Sequence, residues 1–588
     1  MSALSDSFFT AYACLAAWAD LFDRINVFPV ADGDTGTNLR ISLAPFRNPI
    51  DDIETTRNLL ARSATGNSGN IAAAFFREFC RAESFADLAE KAELGRNKAW
   101  QAVASPCPGT MLTVFDSLAV TLQSHDGFVG IYSPLSLALQ KSVFDTTLLL
   151  PDLKKAGVVD SGALAMYVFF DGFFRHITQQ GDTTSSIMDI FAGRLAISSS
   201  FHQEVCNSHC VDVVIQLSES QAPDGKPKES QATVRDNLAK LGESLVVVQD
   251  QSFLKIHIHT PNPDQLRGQL GSYGDIIQWT DAAIDQGSVK PAPKSKKRSI
   301  LHIVTDAAGS LTREMAQHQG ITLLDSYIIV GDDSRPESLY TPEQIYPLMR
   351  TGIKITTAQA STFERHQHYQ SICQQFGPSL YLSVGAAFTG NYDTAMAWQK
   401  NDTLGEMLTV INTGAASGRL GLIALLTARY AHIFDSPQEI IALANNLAVE
   451  CNELVFINEL KYLVAGGRVS KAGGFFGDLL SMKPVISPTI DGVKKIGVVR
   501  SSKGQLTFAL EKLKELYSSS ATPTILLQYS DNKPWVAEVV QQDVRSLLPQ
   551  AEILLAPLSL TSGVHMGPGT WSMAFVSPSI AATGHQAQ

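Results

Sequence analysis

The chain has 588 residues, of which 45% are hydrophobic and 18% charged, and its formal net charge is −11. That length implies several domains, and that hydrophobic content excludes extended disorder. The negative balance excludes nucleic acid as the main partner, because a phosphate backbone needs a basic surface. The seven cysteines are scattered and odd in number, which is no disulfide framework and fits a reducing, cytoplasmic setting. The first residues, Met1-Ser-Ala-Leu-Ser, lack the basic start and apolar core of a signal peptide. No transmembrane segment is expected, since no apolar run is long enough to span a bilayer.

The most informative stretch comes first, Asn26-Val-Phe-Pro-Val-Ala-Asp32-Gly-Asp34-Thr-Gly-Thr-Asn38. Two carboxylates on either side of a glycine bring oxygen ligands to one small volume. That suits Mg²⁺, which takes one or two carboxylates and completes its shell with substrate phosphates and water. Thr35 to Asn38 offer N–H groups and side-chain donors to those phosphates. Taken alone, an acidic turn is more often a solvated loop or a helix cap. Three later segments weigh against that reading. Ala64-Thr-Gly66-Asn67-Ser68-Gly-Asn70 places small donors before an apolar helical run starting at Ile71. Pro106-Cys-Pro-Gly109-Thr110 is a tight turn with threonine at a helix start, and Gly157-Val-Val-Asp160-Ser-Gly162 sets a carboxylate at another. Each is plain helix capping by itself. Together, helix N-termini aimed at a common point would gather positive dipole ends and free N–H groups, which favours polyphosphate.

On these motifs, residues 15–180 resemble the L-subunit family of dihydroxyacetone kinases, in the branch that forms the large subunit of bacterial fatty acid kinase. The resemblance implies a helical barrel that holds ATP through Mg²⁺. It makes Asp32 and Asp34 the metal ligands and catalytic residues, with Asn26 and Asn38 close by. Gly66, Asn67, Ser68, Gly109, Thr110 and Asp160 become nucleotide contacts. The chain departs from the family pattern at Ala31 (usually proline), at Asn70 (usually apolar) and at Pro106-Cys-Pro-Gly109 (usually Pro-Val-Glu-Gly).

Helical patterning gives way near 185–200 to Val211-Asp-Val-Val-Ile-Gln-Leu217. The pattern then predicts a strand near 211–217, a helix near 231–241, strands near 244–249 and 253–259, and a helix from about 263. Within this segment lies Lys255-Ile-His257-Ile-His259-Thr260. Strand alternation puts both imidazoles on one face, close enough to share a transition metal, with Cys210 as third ligand. From spacing alone a His-x-His strand is more often a polar sheet face, and Cys206 and His209 are further candidate ligands. The middle domain of the large fatty acid kinase protein is similar, with a Cys-Thr-Glu strand and a His-Val-His strand. That implies Cys210-Val-Asp212 and His257-Ile-His259 as the segments that bind Zn²⁺ or serve phosphotransfer, with Cys210, His257 and His259 as the candidate ligands and the usual threonine missing between Cys210 and Asp212.

Pro291-Ala-Pro-Lys-Ser-Lys-Lys-Arg-Ser299 reads as a solvated basic linker, with transient contact to an anionic membrane surface as the alternative. A new α/β segment follows, starting with Ile303-Val-Thr305-Asp306. Thr356-Thr357, Thr389-Gly390-Asn391, Gly466-Gly-Arg468 and Ser562-Gly-Val-His565-Met-Gly-Pro-Gly569 place hydroxyls, an arginine and a histidine at strand ends. Such a pocket suits a small anion such as a carboxylate. No Walker-type phosphate loop occurs. Residues 299–580 resemble the DegV family of fatty-acid-binding proteins. That implies Thr356, Thr357, Thr389, Gly390 and His565 around a fatty carboxylate, an apolar tunnel for the acyl chain, and Arg468 as a cation for the carboxylate or its phosphorylated product.

The expected fold is multidomain: an all-α barrel-like kinase domain over 1–188, a small α/β middle domain over 189–290, a linker over 291–299 and a two-lobed α/β DegV-like domain over 300–588. The joint resemblance implies a fused, cytoplasmic fatty acid kinase. It would use ATP, Mg²⁺ and a candidate Zn²⁺ to phosphorylate a bound fatty acid, work as a homodimer and feed a downstream acyltransferase. The alternatives are a kinase for dihydroxyacetone or another small substrate, and a non-catalytic lipid-binding regulatory protein.

Overall fold

Two segments, Ile71–Phe79 and Ala163–Phe174, are apolar around most of their circumference, the pattern of helices buried on every side. The computed structural model describes residues 3–48, 50–180, 186–201, 208–217, 231–250, 252–284, 299–331, 333–465 and 482–577. It divides into two units, Met1–Lys294 and Ser295–Gln588.

The first unit opens with α1 (Ala3–Arg24), α2 (Thr35–Ser42), α3 (Ile53–Ser63), α4 (Gly66–Phe79), α5 (Phe85–Ala102), α6 (Met111–Gln123), α7 (Tyr132–Leu149), α8 (Pro151–Ala156) and α9 (Ser161–Ile177). Contacts close a cycle: α1 packs on α2, α2 on α4, α4 on α5, α5 on α6, α6 on α7, α7 on α9 and α9 on α1. The apolar segments lie in α4 and α9. Their phenylalanines interlock with each other and with those of α1 and α6: Phe75 stacks on Phe115 at 4.1 Å, Phe173 meets Phe8 at 4.9 Å, and Phe76 meets Phe169 at 4.6 Å. Each fully buried ring stabilises by about 1.5–3 kcal/mol. Gly36 lets α2 lie directly on α1, since a Cβ there would collide with the Ala19 carbonyl oxygen.

The helical core continues past the boundary expected at 188. A one-turn helix α10 (Ile187–Ile190) follows, and Ile187 and Phe191 are buried in the same core as α9. Val159 donates to the Arg194 carbonyl at 3.2 Å and Ser198 to the Ala156 carbonyl at 2.8 Å. Residues 189–201 therefore pack with the helices, because Phe191 fills a place between Phe144 and Tyr167.

Next come β1 (His209–Gln216), α11 (Gln231–Leu238), β2 (Glu243–Gln249), β3 (Phe253–Thr260), α12 (Pro263–Leu270) and β4 (Asp275–Ala283). The antiparallel sheet has the order β2-β3-β1-β4. β4 has no counterpart in the sequence expectation; it is an exposed edge strand, and its Asp-Ile-Ile-Gln-Trp-Thr-Asp-Ala-Ala run does not alternate. Val211, Val213, Ile215, Ile256 and Ile258 pack under α11 and α12. The other face meets the helical domain: Val246 and Val248 join its core, and Ala104 donates to the Leu245 carbonyl at 3.0 Å.

Among the described residues the second unit holds three sheets. β5 (His302–Asp306), β6 (Ile321–Leu324), β10 (Ser379–Ser383) and β11 (Leu408–Asn412) form a parallel sheet in the order β11-β10-β5-β6. β7 (Tyr327–Val330), β8 (Asp333–Pro336) and β9 (Ile355–Ala358) form an antiparallel sheet, β8-β7-β9. β12 (Asn452–Phe456), β13 (Lys483–Thr489), β14 (Gly492–Val499), β15 (Thr524–Tyr529), β16 (Glu552–Pro557) and β17 (Trp571–Val576) form the third, β14-β13-β12-β17-β15-β16. The apolar helix Ser417–Ala431 touches strands of the first and third sheets and shares one core with both.

Gly36→Ala should cost about 1–3 kcal/mol by overpacking α1 against α2. Calorimetric melting of the first unit would show it as a lowered midpoint, and an unchanged midpoint would contradict the close contact.

Candidate functional site

Asp34 precedes α2, Thr65 precedes α4, Thr110 precedes α6 and Asp160 precedes α9, so all the sequence turns singled out above are helix N-caps. The helix carrying Gly66 starts there rather than at Ile71, so Gly66-Asn67-Ser68 is its first turn. A cavity of about 480 Å³ in the first unit is lined by Asp34 and Thr35, Asn67 and Ser68, Thr110 and Met111, and Asp160 and Gly162. Four helix N-termini thus face one space. Asn26, Asp32 and His259 line it as well, and Val103, Ala104, Leu112 and Leu245 give it an apolar side.

Asn26 donates to Asp32 Oδ1 at 2.6 Å. Burial pushes both Asp32 and Asp34 above the usual carboxylate range, and the charge of Asp32 adds to the push on Asp34. Asn38 hydrogen-bonds Asp34 and packs against the Cα of Gly66, whose φ of +64° and lack of Cβ leave room for that amide. A buried pair of like charges that remains under-compensated fits a divalent cation. Asp160 is also raised, to about 7, by burial, against the opposing N–H groups of Ala163 and Gly162. Gly66, Gly109 and Asn38 lie behind the lining and shape the turns.

The sheet contributes the second constellation. Cys210, His257 and His259 bring their ligand atoms within 4.8 Å of one another. His257 and His259 lie on the face opposite Ile256 and Ile258, and both are buried. Both ring nitrogens of His257, and Nδ1 of His259, have no hydrogen-bond partner among the described residues. Burial, with help from His257, lowers His259 to about 3, so its imidazole is neutral and able to ligate. Burial and the nearby Asp212, Asp34 and Asp32 hold the Cys210 thiol far above its ordinary range, so a cation is what would release its proton. These residues fit Zn²⁺. His209 instead pairs with Asp281 at 2.8 Å, and Cys206 lies outside the described residues.

Two acidic residues hold these helix starts in ways the sequence did not assign: Asp212, placed from sequence only in the segment matching the Cys-Thr-Glu strand, and Asp23. Asp212 accepts from Gly66 N at 2.9 Å and from Asn70 Nδ2 at 3.0 Å. Asp23 accepts from Thr37 N at 2.9 Å and Thr37 Oγ1 at 2.7 Å, fixing the start of α2. The available signals were the i, i+2 spacing of Asp212 from Cys210 and the departure at Asn70.

In the second unit Thr357, on β9, and His565, on the helix Leu560–Met566, meet at 3.0 Å between Oγ1 and Nε2. Ile328, Ile345, Tyr346, Met349, Leu560 and Val564 form the apolar cluster of the elements that carry them. Thr356 pairs with Ile329 of β7. Thr389 Oγ1 accepts from Asn391 N at 3.2 Å just before the next helix, whose N-cap is Gly390. Asp306 anchors that loop, accepting from Tyr381 Oη, Val384 N and Asn391 Nδ2 at 2.8 Å each. Arg468 lies outside the described residues. Glu337, 3% exposed, accepts from Thr561 N at 2.7 Å in the first turn of the helix bearing His565.

A helical domain whose helix N-termini face one acidic cavity, followed in the chain by an α/β unit with a hydroxyl–imidazole pair, is the class these features define. Residues 29–175 match the DAK2 domain, 207–284 the FakA-like middle domain of fatty acid kinase, and 300–578 the DegV family of uncharacterised proteins. The chain is a DAK2 domain, a FakA-like middle domain and a DegV domain in one polypeptide. An uncharacterized protein of Staphylococcus epidermidis is 28% identical over 290 residues, 44% of this chain and 50% of that one. Protein YloV of Bacillus subtilis is 28% identical over 288 residues, 44% and 51% respectively. The chain thus spans about half the length of these curated relatives. A fatty-acid-binding DegV family protein of Thermus thermophilus is similar at 24% identity and TM-score 0.44, over 47% of this chain and 99% of its own. No helix among the described residues is long and apolar enough to cross a membrane.

Burial raises Glu337 to about 8 from an ordinary 4.5, with Asp325 and Asp306 adding to it against the Thr561 donors. The uncharged carboxyl therefore favours the fold: its contribution is whole below 4.5 and fades as pH rises toward 8. Glu337→Gln does not titrate. Across that window its stability relative to the parent should rise by up to about 1.4 kcal/mol per pH unit, read from urea unfolding at each pH. A gap that stays constant with pH would contradict the assignment.

Proposed function

We propose that the chain phosphorylates a fatty acid to acyl phosphate, with Mg–ATP in the first unit and the fatty acid in the second. The reading is carried by the buried Asp32/Asp34 pair at a cavity faced by four helix N-termini. Its lining contains no lysine or arginine among the described residues, so phosphate charge falls to a cation and to N–H and hydroxyl donors. Asp32 and Asp34 would hold Mg²⁺, which neutralises phosphate charge when bound. Asn67, Ser68 and Thr110 would donate to the phosphates, and the Val103, Ala104, Leu112 and Leu245 side would take the base. Cys210, His257 and His259 would hold Zn²⁺ beside them.

In the second unit, Thr357 and His565 would orient the fatty carboxylate. One carboxylate oxygen attacks the γ-phosphorus, the bond from that phosphorus to the β–γ bridging oxygen breaks, and ADP leaves with the electron pair. The carboxylate is already ionised, so no base is required. Catalysis is then positioning and charge neutralisation. Burying the alkyl chain is worth about 0.8 kcal/mol per methylene, so the polar pair need only orient the headgroup. The DAK2, FakA-like and DegV matches support this reading at the level of kinase and fatty-acid-binding domains.

Asp34→Ala should lower ATP-dependent phosphorylation of added oleate by on the order of 10²–10³-fold or more, with oleate binding nearly unchanged. Phosphotransfer is read by mass spectrometry of the acyl phosphate trapped with hydroxylamine. Full activity in this variant, or ATP use indifferent to any fatty acid, would sink the proposal.

A further inference from the structure

Asp212 lies on β1 two positions after Cys210 and directly across from His257 of β3. Its carboxylate, 5% exposed, reaches two ways. Toward the helical domain it accepts from Gly66 N at 2.9 Å, Asn70 Nδ2 at 3.0 Å and Thr65 Oγ1 at 3.3 Å. Within the sheet it stands 3.4 Å from His257 Nδ1 and 3.8 Å from Lys255 Nζ.

The contacts continue on both sides. Gly66 has no space for a Cβ because the Asn38 amide fills it, and Asn38 in turn hydrogen-bonds Asp34. On the other side, Nδ1 of His257 stands 3.4 Å from Asp212 without a hydrogen bond, and Nε2 likewise has no hydrogen-bond partner among the described residues. Asn70 Nδ2 also donates to the Gly66 carbonyl at 2.7 Å, so it grips both the carboxylate and the turn. One path of direct contacts runs His257, Asp212, Gly66, Asn38, Asp34.

We propose that Asp212, with Asn70 as its second anchor, is a positioning residue that couples occupancy of the Cys210/His257/His259 set to the geometry of the nucleotide-facing turn. This rests on the reading of the first unit as a Mg–nucleotide site. A ligating histidine is oriented by the partner of its other ring nitrogen, and here that partner also holds the first N–H of α4. A cation on the set fixes His257 as donor to Asp212 and so fixes the turn. Linkage requires the reverse as well, with nucleotide tightening cation binding by the same factor.

The test is calorimetric titration of the full chain with Mg–ADP, after chelator treatment and after one equivalent of Zn²⁺. Zinc should tighten Mg–ADP binding roughly five-fold or more in the parent. Asp212→Asn should erase that difference, and Asn70→Ala should shrink it. Should Asp212→Asn fail to fold, Asn70→Ala decides, since it removes one amide and leaves the carboxylate. Equal Mg–ADP affinities with and without zinc in the parent, or an undiminished difference in Asn70→Ala, would overturn the inference. A parent that binds no Mg–ADP in either metal state overturns the nucleotide reading itself, and this inference with it.

Discussion

Asp32 and Asp34 bring two carboxyl groups out of water and into each other's field, and the first unit is arranged around that electrostatic cost. Helix N-termini carry about half a unit of positive charge each, and those of α2, α4, α6 and α9 face the same cavity. The Asn26 and Asn38 amides add neutral donors. This compensation is incomplete, since both carboxyls still sit above their ordinary range. In a purely structural site such uncompensated charge would only destabilise the fold. In a site that receives a cation together with phosphates, it is what gives the cation somewhere to bind.

The small sheet serves this arrangement through the period of its pleat. Ile256 and Ile258 go into the domain's own core, while Lys255, His257 and His259 go to the opposite face. The helical domain meets that face through the bridge between Val103 and Val246 and the bond from Ala104 to Leu245. Gly242 brings the turn before β2 against the His259 carbonyl, where any side chain would collide. Glu243 to Leu245 then become part of the cavity wall. A sheet with no such motif of its own thereby shapes the cavity and holds Cys210, His257 and His259 next to it.

Much of this was legible because the chemistry sits at places where local sequence dictates local geometry. Threonine and aspartate before an apolar run cap helices, so Thr110 and Asp160 marked their own positions. Period-two alternation alone put His257 and His259 on one face. What was illegible depended on packing between distant segments. The role of Asp212 comes from residues more than a hundred positions away in α4, and a single carboxylate in an apolar strand carries no mark of its partner. The edge strand β4 lacks alternation because most of its residues are exposed on either side. Residues 189–201 looked like the start of a new domain because helical patterning gives way there, yet Phe191 is buried in the helical core, with Ile190, Leu195, Ile197 and Phe201 packed against it.

In the second unit, Thr357 and His565 are brought together across 208 positions of chain, and they already bond each other. An incoming carboxylate must share or displace that bond, because it offers only acceptors. Threonine can turn its hydroxyl proton to the carboxylate only if the imidazole gives up its claim on it, or if the imidazole is itself the donor to threonine. Binding is therefore, on the proposed reading, sensitive to the tautomer of His565. On the proposed reading, joining carrier and kinase in one chain makes their encounter intramolecular, with an effective concentration up to the millimolar range for a short flexible connection. Strong association between the halves then has little to add. The demand shifts to how readily the headgroup site exchanges its occupant, and a self-bonded hydroxyl–imidazole pair that must be pried open holds a carboxylate less tightly than two free donors would.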